Sequence, residues 1–114
     1  RPRFAGAYVM NTEMLSHLAK QMKAGNRVEI DGKLFEVKRT SSQRLKTLRF
    51  VMGGREYQAI EQNPEKPSRW GQLARKGHHV VQFRDVMTGK YVAVAIDGEV
   101  KEYGKLGKEP RSKS

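Results

Sequence analysis

KRTSSQRLKTLRFVMGGR, residues 38–55, holds six basic side chains, Lys38, Arg39, Arg44, Lys46, Arg49 and Arg55, and no acidic one. It also holds Leu45, Leu48, Phe50, Val51 and Met52, so it has to bury apolar groups while its charges stay in water. A period of two resolves the conflict. Gly53-Gly54 supplies a two-residue hairpin turn. That turn sets Phe50 opposite Tyr57 and Leu48 opposite Ala59 on one face, with Arg49 opposite Gln58 and Thr47 opposite Ile60 on the other. The apolar set turns inward, and Arg49 stays outside with the loop residues Arg39 and Arg44.

Upstream, Asp31-Gly32 predicts another hairpin, pairing Val28 with Phe35 on a core face and Glu29 with Leu34, Arg27 with Glu36, on a wet one. Before it, Met14, Leu15, Leu18, Ala19 and Met22 recur at helical spacing. They predict a helix over about Thr12–Ala24, with Asn11 or Thr12 as N-cap and Gly25 as the stop. Downstream, Pro64 and Pro67 forbid regular structure, and Ser68 is placed to cap a short helix that Gly77 closes. Trp70, Leu73 and Ala74 line one side of that helix, with Trp70 as a core anchor plugging one end of the sheet; Arg69, Arg75 and Lys76 ring its exposed side.

The last third reads as a meander. With Thr88-Gly89 as its turn, Val81, Phe83 and Met87 share a core face with Val92, Val94 and Ile96, and the opposite face carries Gln82, Arg84, Tyr91, Ala93 and Ala95. Asp97-Gly98 then turns the chain into a last strand. The segments Val28–Glu36 and Val94–Glu102 share V-x-I-D-G-x-x-x-E, which two hairpins with the same turn chemistry explain without duplication. The predicted fold is α+β: a strongly bent antiparallel sheet of about six or seven strands, barrel-like, built of glycine-turn hairpins with two short helices.

The organisation expected is an N-terminal extension over residues 1–9, a single domain over 10–103 and a flexible basic tail over 104–114. The chain has no cysteine, which excludes disulfides and thiolate metal sites and is compatible with a reducing, cytoplasmic location. No apolar run approaches the length of a membrane span, and no signal peptide is apparent. Net charge is +11. Arg1 and Arg3 add +2 and the segment from Gly104 adds +3, so the 38–55 stretch alone accounts for the remaining +6. Such a local excess makes a patch suited to a polyanion.

The expected function is therefore a small non-enzymatic nucleic-acid-binding protein, for DNA or RNA. Lys38, Arg39, Arg44, Lys46, Arg49 and Arg55 grip the phosphate backbone, and Arg69, Arg75, Lys76, Arg84 and Tyr91 form a secondary set. Ser41 and Ser42 add phosphate-bonding hydroxyls. Phe35, Phe50, Tyr57 and Phe83 point to the predicted core, leaving Tyr91 and Tyr103 to stack on bases. Backbone contact with duplex DNA or structured RNA is thus at least as well supported as single-strand binding. An interaction module docking its basic face on an acidic protein is the alternative, using the Gln82, Arg84, Tyr91, Ala93, Ala95 face. A ribonuclease-like activity of His78 and His79 is the third reading, weakened because strand neighbours point to opposite faces. No metal, cofactor or nucleotide-loop motif is present.

Overall fold

The computed structural model describes residues 12–30, 32–40 and 45–102, and in it the first helix, α1 (Thr12–Ala24), has the predicted bounds. Leu15, Leu18, Ala19 and Met22 are buried along one side. Each of the three larger ones contributes about 1.5–3 kcal/mol by leaving water. The hairpin β1 (Arg27–Ile30) and β2 (Lys33–Glu36) follows as a two-stranded sheet, in the register that Asp31-Gly32 predicts. Gln21 of α1 ties the hairpin down: its side-chain amide donates to the Glu29 carbonyl at 3.2 Å and accepts from the Glu29 N–H at 2.9 Å. This closes the outer edge of β1 much as a neighbouring strand would.

The second sheet is a six-stranded antiparallel meander: β3 (Lys38–Arg39), β4 (Lys46–Met52), β5 (Arg55–Glu61), β6 (Val80–Asp85), β7 (Tyr91–Ile96) and β8 (Glu99–Glu102), in that spatial order. It stays open, with β3 and β8 as its two ends. The Gly53-Gly54 hairpin has the predicted pairs, Phe50 with Tyr57 and Leu48 with Ala59. Both glycines have positive φ, as the turn demands.

One face of this sheet is covered by α1 and the β1–β2 hairpin. The core there joins Leu15, Leu18, Ala19 and Met22 to Val28, Ile30, Leu48, Phe50, Tyr57, Val81 and Phe83. Phe50 meets Phe83 edge-on at 6.2 Å. The other face has a smaller core, in which α2 (Arg69–Arg75) sets Trp70, Leu73 and Ala74 against Val80, Val94 and Ile96. Trp70 is the expected anchor, at 5 % exposure, but it packs on a sheet face and does not plug an end. Ser68 caps α2, accepting from the Gly71 N–H at 3.2 Å. Gly71 is a close approach, since a Cβ there would collide with the Lys66 carbonyl.

The predicted register of β6 on β7 is corrected. Phe83 faces Ala93 but Arg84 faces Tyr91, a β-bulge that leaves Val92 over. Ala93 and Ala95 therefore join Val81 and Phe83 in the main core, while Val94 and Ile96 pack on α2. The turn spans Asp85 to Lys90 because the Asp85 carboxylate accepts from the N–H groups of Met87 (2.9 Å) and Thr88 (3.3 Å), a geometry that a Thr88-Gly89 turn would not make. Met87, expected in the core, is 84 % exposed on this turn.

Candidate nucleic-acid interface

Strand parity sorts the basic stretch into two fates. Lys46 shares its parity with Leu48, Phe50 and Met52, and it is buried with them. Its Nζ donates to the carbonyls of Met22 at 2.6 Å and Gly25 at 3.1 Å, at the end of α1. There it satisfies acceptors that a helix terminus leaves over. Lys46 is a helix-capping side chain, out of reach of a phosphate.

Arg55 shares its parity with Tyr57 and Ala59. Its guanidinium makes a two-nitrogen contact with Asp85 Oδ2, at 3.0 and 2.7 Å. Burial alone would raise the Asp85 pKa. The Arg55 hydrogen bond and the Thr88 N–H outweigh it and hold the carboxyl below its ordinary value. Arg39 stands opposite Lys46 and leaves the sheet on the α1 side. Arg44 and Tyr103 lie outside the described residues, as do Ser41 and Ser42. The six-residue constellation is thus not one patch.

The secondary set is also divided. Arg69 lies 5.3 Å over the Trp70 ring. Arg75 holds the loop before α2, donating to the carbonyls of Pro64 and Lys66. Lys76 is the C-cap of α2.

What the fold brings together lies on the face that carries α2, running from β3 to the strands on which α2 packs. Register places Arg49, Gln58, Arg84 and Tyr91 in one row across β4, β5, β6 and β7. The next row runs Lys38, Thr47, Ile60, Gln82. Both rows share the face opposite the main core. Measured across the strands, Lys38 and Arg84 are three spacings apart, roughly 14 Å. Arg84 donates to Gln58 Oε1 at 3.4 Å, and Tyr91 packs beside the Trp70 cluster. Arg49 pairs with Glu56 at 3.2 Å, with side-chain exposures of 59 % and 42 %. An ion pair this open is worth roughly 0.2–1 kcal/mol, so a phosphate can displace the carboxylate.

Thr47 and Gln58 were not among the expected site residues, and Gln82 was expected only on the alternative protein-docking face. The alternation that put Arg49 outside also put them there, and with Lys38 they make the face continuous. Ala93 and Ala95, expected on it, are in the core.

The histidines occupy the opposite end of the strands. His79 Nε2 lies 2.9 Å from Glu61 Oε2, and His78 Nδ1 lies 2.6 Å from Asp97 Oδ2. For Glu61, burial pulls its pKa upward, and the bonds from His79 and the Lys46 N–H overcome this to leave it lowered. Asp97 is lowered by the His79 N–H and the His78 ring. Among the described residues no cluster of His, Asp or Glu could hold a metal, and no helix is long and apolar enough to cross a membrane. No protein-family model, curated protein or solved structure matches the chain.

Proposed function

We propose that this chain is a non-enzymatic nucleic-acid-binding protein that holds the phosphate backbone across the face of its six-stranded sheet that carries α2. The observation that carries the reading is the placement of Lys38, Arg49 and Arg84 on one face, interleaved with Thr47, Gln58 and Gln82. The cations supply counterion release; the hydroxyl and amides supply hydrogen bonds to phosphate, sugar or base edges. Tyr91, at the end of its row, offers a single ring. The net charge of +11 favours a polyanion over other ligands of that face. The chemistry of such a site is positional, and no covalent step is part of it. His78 and His79 bond separate carboxylates, so they do not form a pair acting on one phosphodiester. A cytoplasmic location belongs to the same proposal.

Gel shifts with single-stranded RNA, single-stranded DNA and duplex DNA at two salt concentrations test the reading. About three phosphate contacts give a log-log salt slope of roughly −2 to −3. The double variant Lys38→Glu, Arg49→Glu is expected to lose binding while its circular dichroism and unfolding midpoint stay unchanged. A salt-independent titration, or full binding by the double variant, overturns the proposal.

A further inference from the structure

The face described above is matched to more than phosphate. Ile60 stands at its centre, between Thr47 on β4 and Gln82 on β6, half-buried and part of neither core. Tyr91 closes the neighbouring row, half-buried against the Trp70 cluster. A phosphate gains nothing from an isoleucine, whereas the flat side of a base does. The polar side chains agree. Lys38, Arg49 and Arg84 carry donors only, which suits phosphate oxygens, but Thr47, Gln58 and Gln82 carry acceptors as well. A phosphodiester has no proton to give those acceptors; base edges and ribose hydroxyls do. Arg84 is unsatisfied besides. Its Nε–H is buried with no acceptor in the protein, and its bond to Gln58 is long, at 3.4 Å.

The shape of the face decides which bases can reach it. The Lys38 row continues on β7 at Val94, which is 1 % exposed beneath α2, so the helix rises as a wall where that row ends. Between β3 and β6 the shelf spans three strand spacings, roughly 14 Å, and α2 adds a helix diameter of about 10 Å beside it. The major groove of B-form DNA is about 12 Å wide and the minor about 6 Å, room for a helix or a two-stranded ribbon. A four-stranded shelf flanked by a helix enters neither. A duplex can touch it through phosphates alone, which leaves Ile60 and the amide oxygens without counterparts.

We infer that the nucleic acid held here is single-stranded. Its unpaired bases lie over Ile60 and against Tyr91 with their edges bonded to Thr47, Gln58 and Gln82, and its phosphates meet Lys38, Arg49 and Arg84. The inference rests on the nucleic-acid reading above and adds to it the state of the strand. Every base has a flat face to offer, so the grip is tolerant of sequence.

Fluorescence polarisation on the full chain tests it, with four labelled probes: single-stranded RNA, single-stranded DNA, the matching DNA duplex and an abasic strand of the same length. Either single strand is expected to bind at least about tenfold more tightly than the duplex or the abasic strand. Ile60→Thr keeps a β-branched residue in β5 and is expected to weaken single-strand binding about fivefold, with duplex binding unchanged. Ile60→Lys sharpens the contrast. Contact through phosphates alone predicts tighter binding of every probe, whereas lost base packing predicts a gain for the duplex and the abasic strand but none for the single strands. RNA bound more tightly than single-stranded DNA assigns an acceptor to the ribose hydroxyl; the reverse order or equality assigns it to base edges, and each supports the inference. Should Ile60→Thr fail to fold, the abasic comparison on the unaltered chain decides instead. Duplex or abasic strand bound as tightly as the single strands overturns the inference and leaves the nucleic-acid reading standing; binding of no probe overturns both. Single-strand binding untouched by both Ile60 variants and by Tyr91→Leu also overturns it, because the bases then lie elsewhere.

Discussion

On one face of the six-stranded sheet, Lys46, Leu48, Phe50 and Met52 are all buried; on the other, their immediate neighbours Thr47, Arg49 and Val51 are half-buried or exposed. The strand is the same and the composition is similar, so cover makes the difference. The first face receives α1, thirteen residues long, together with the β1–β2 hairpin, whereas the second receives only the seven residues of α2, over β6 and β7. A basic residue under the first cover has to find acceptors within the protein, as Lys46 does in the carbonyls of α1. One three positions along, Arg49, remains available to a ligand. Charge in a sequence therefore says little about binding until the face is known.

The difference can be broken most directly at Phe83, fully buried beneath α1. Phe83→Ala is expected to lower stability by about 3–5 kcal/mol in urea unfolding, and a loss below about 1 kcal/mol would contradict the two-faced account. Next in size is Lys46→Met, which keeps the stem but leaves α1 carbonyls unpaired; its cost is expected near 2–3 kcal/mol by the same measurement. Acid supplies a smaller, graded test. Asp85 and Glu61 have folded pKa values below their ordinary ones. The folded state therefore binds their protons less readily than the unfolded state does. Their contribution is fully present above the ordinary carboxylate range and fades as pH falls through it, over roughly pH 5 to 2. The urea midpoint is expected to drop across that window, and Asp85→Asn to flatten the drop. The smallest effect belongs to the open face: Arg49→Glu is expected to change stability by no more than about 0.5 kcal/mol while weakening nucleic-acid binding.

Where turn chemistry fixes register, the sequence is legible to the residue: Asp31-Gly32 and Gly53-Gly54 predict every pair of their hairpins. It is not legible between β6 and β7. There Val92, Val94 and Ile96 alternate as a core strand should, yet the bulge beside Arg84 shifts the alanines inward. Small side chains suit that position because Ala19 and the rest of α1 lie in the same core, a tertiary reason invisible in the strand itself. The candidate site is legible in part. Arg49, Arg84 and Tyr91 do share a row. Charge count alone puts Lys46 and Arg55 in the basic patch, whereas their spacing from Leu48 and Tyr57 assigns them to the inner side. Their partners, the end of α1 and Asp85, lie 21 or more and 30 residues away in sequence, beyond any local pattern.

Lys46 also has a consequence for how the molecule opens. Its ammonium is the rivet between a helix that could form early from local contacts and a strand pair that has to be assembled over distance, and neither half can keep the bond without the other. Fraying of the last turn of α1 and separation of β4 from β5 should accordingly be a single event. In native-state hydrogen exchange the amides of Met22 and Phe50 would then report the same opening free energy and respond to denaturant with the same slope.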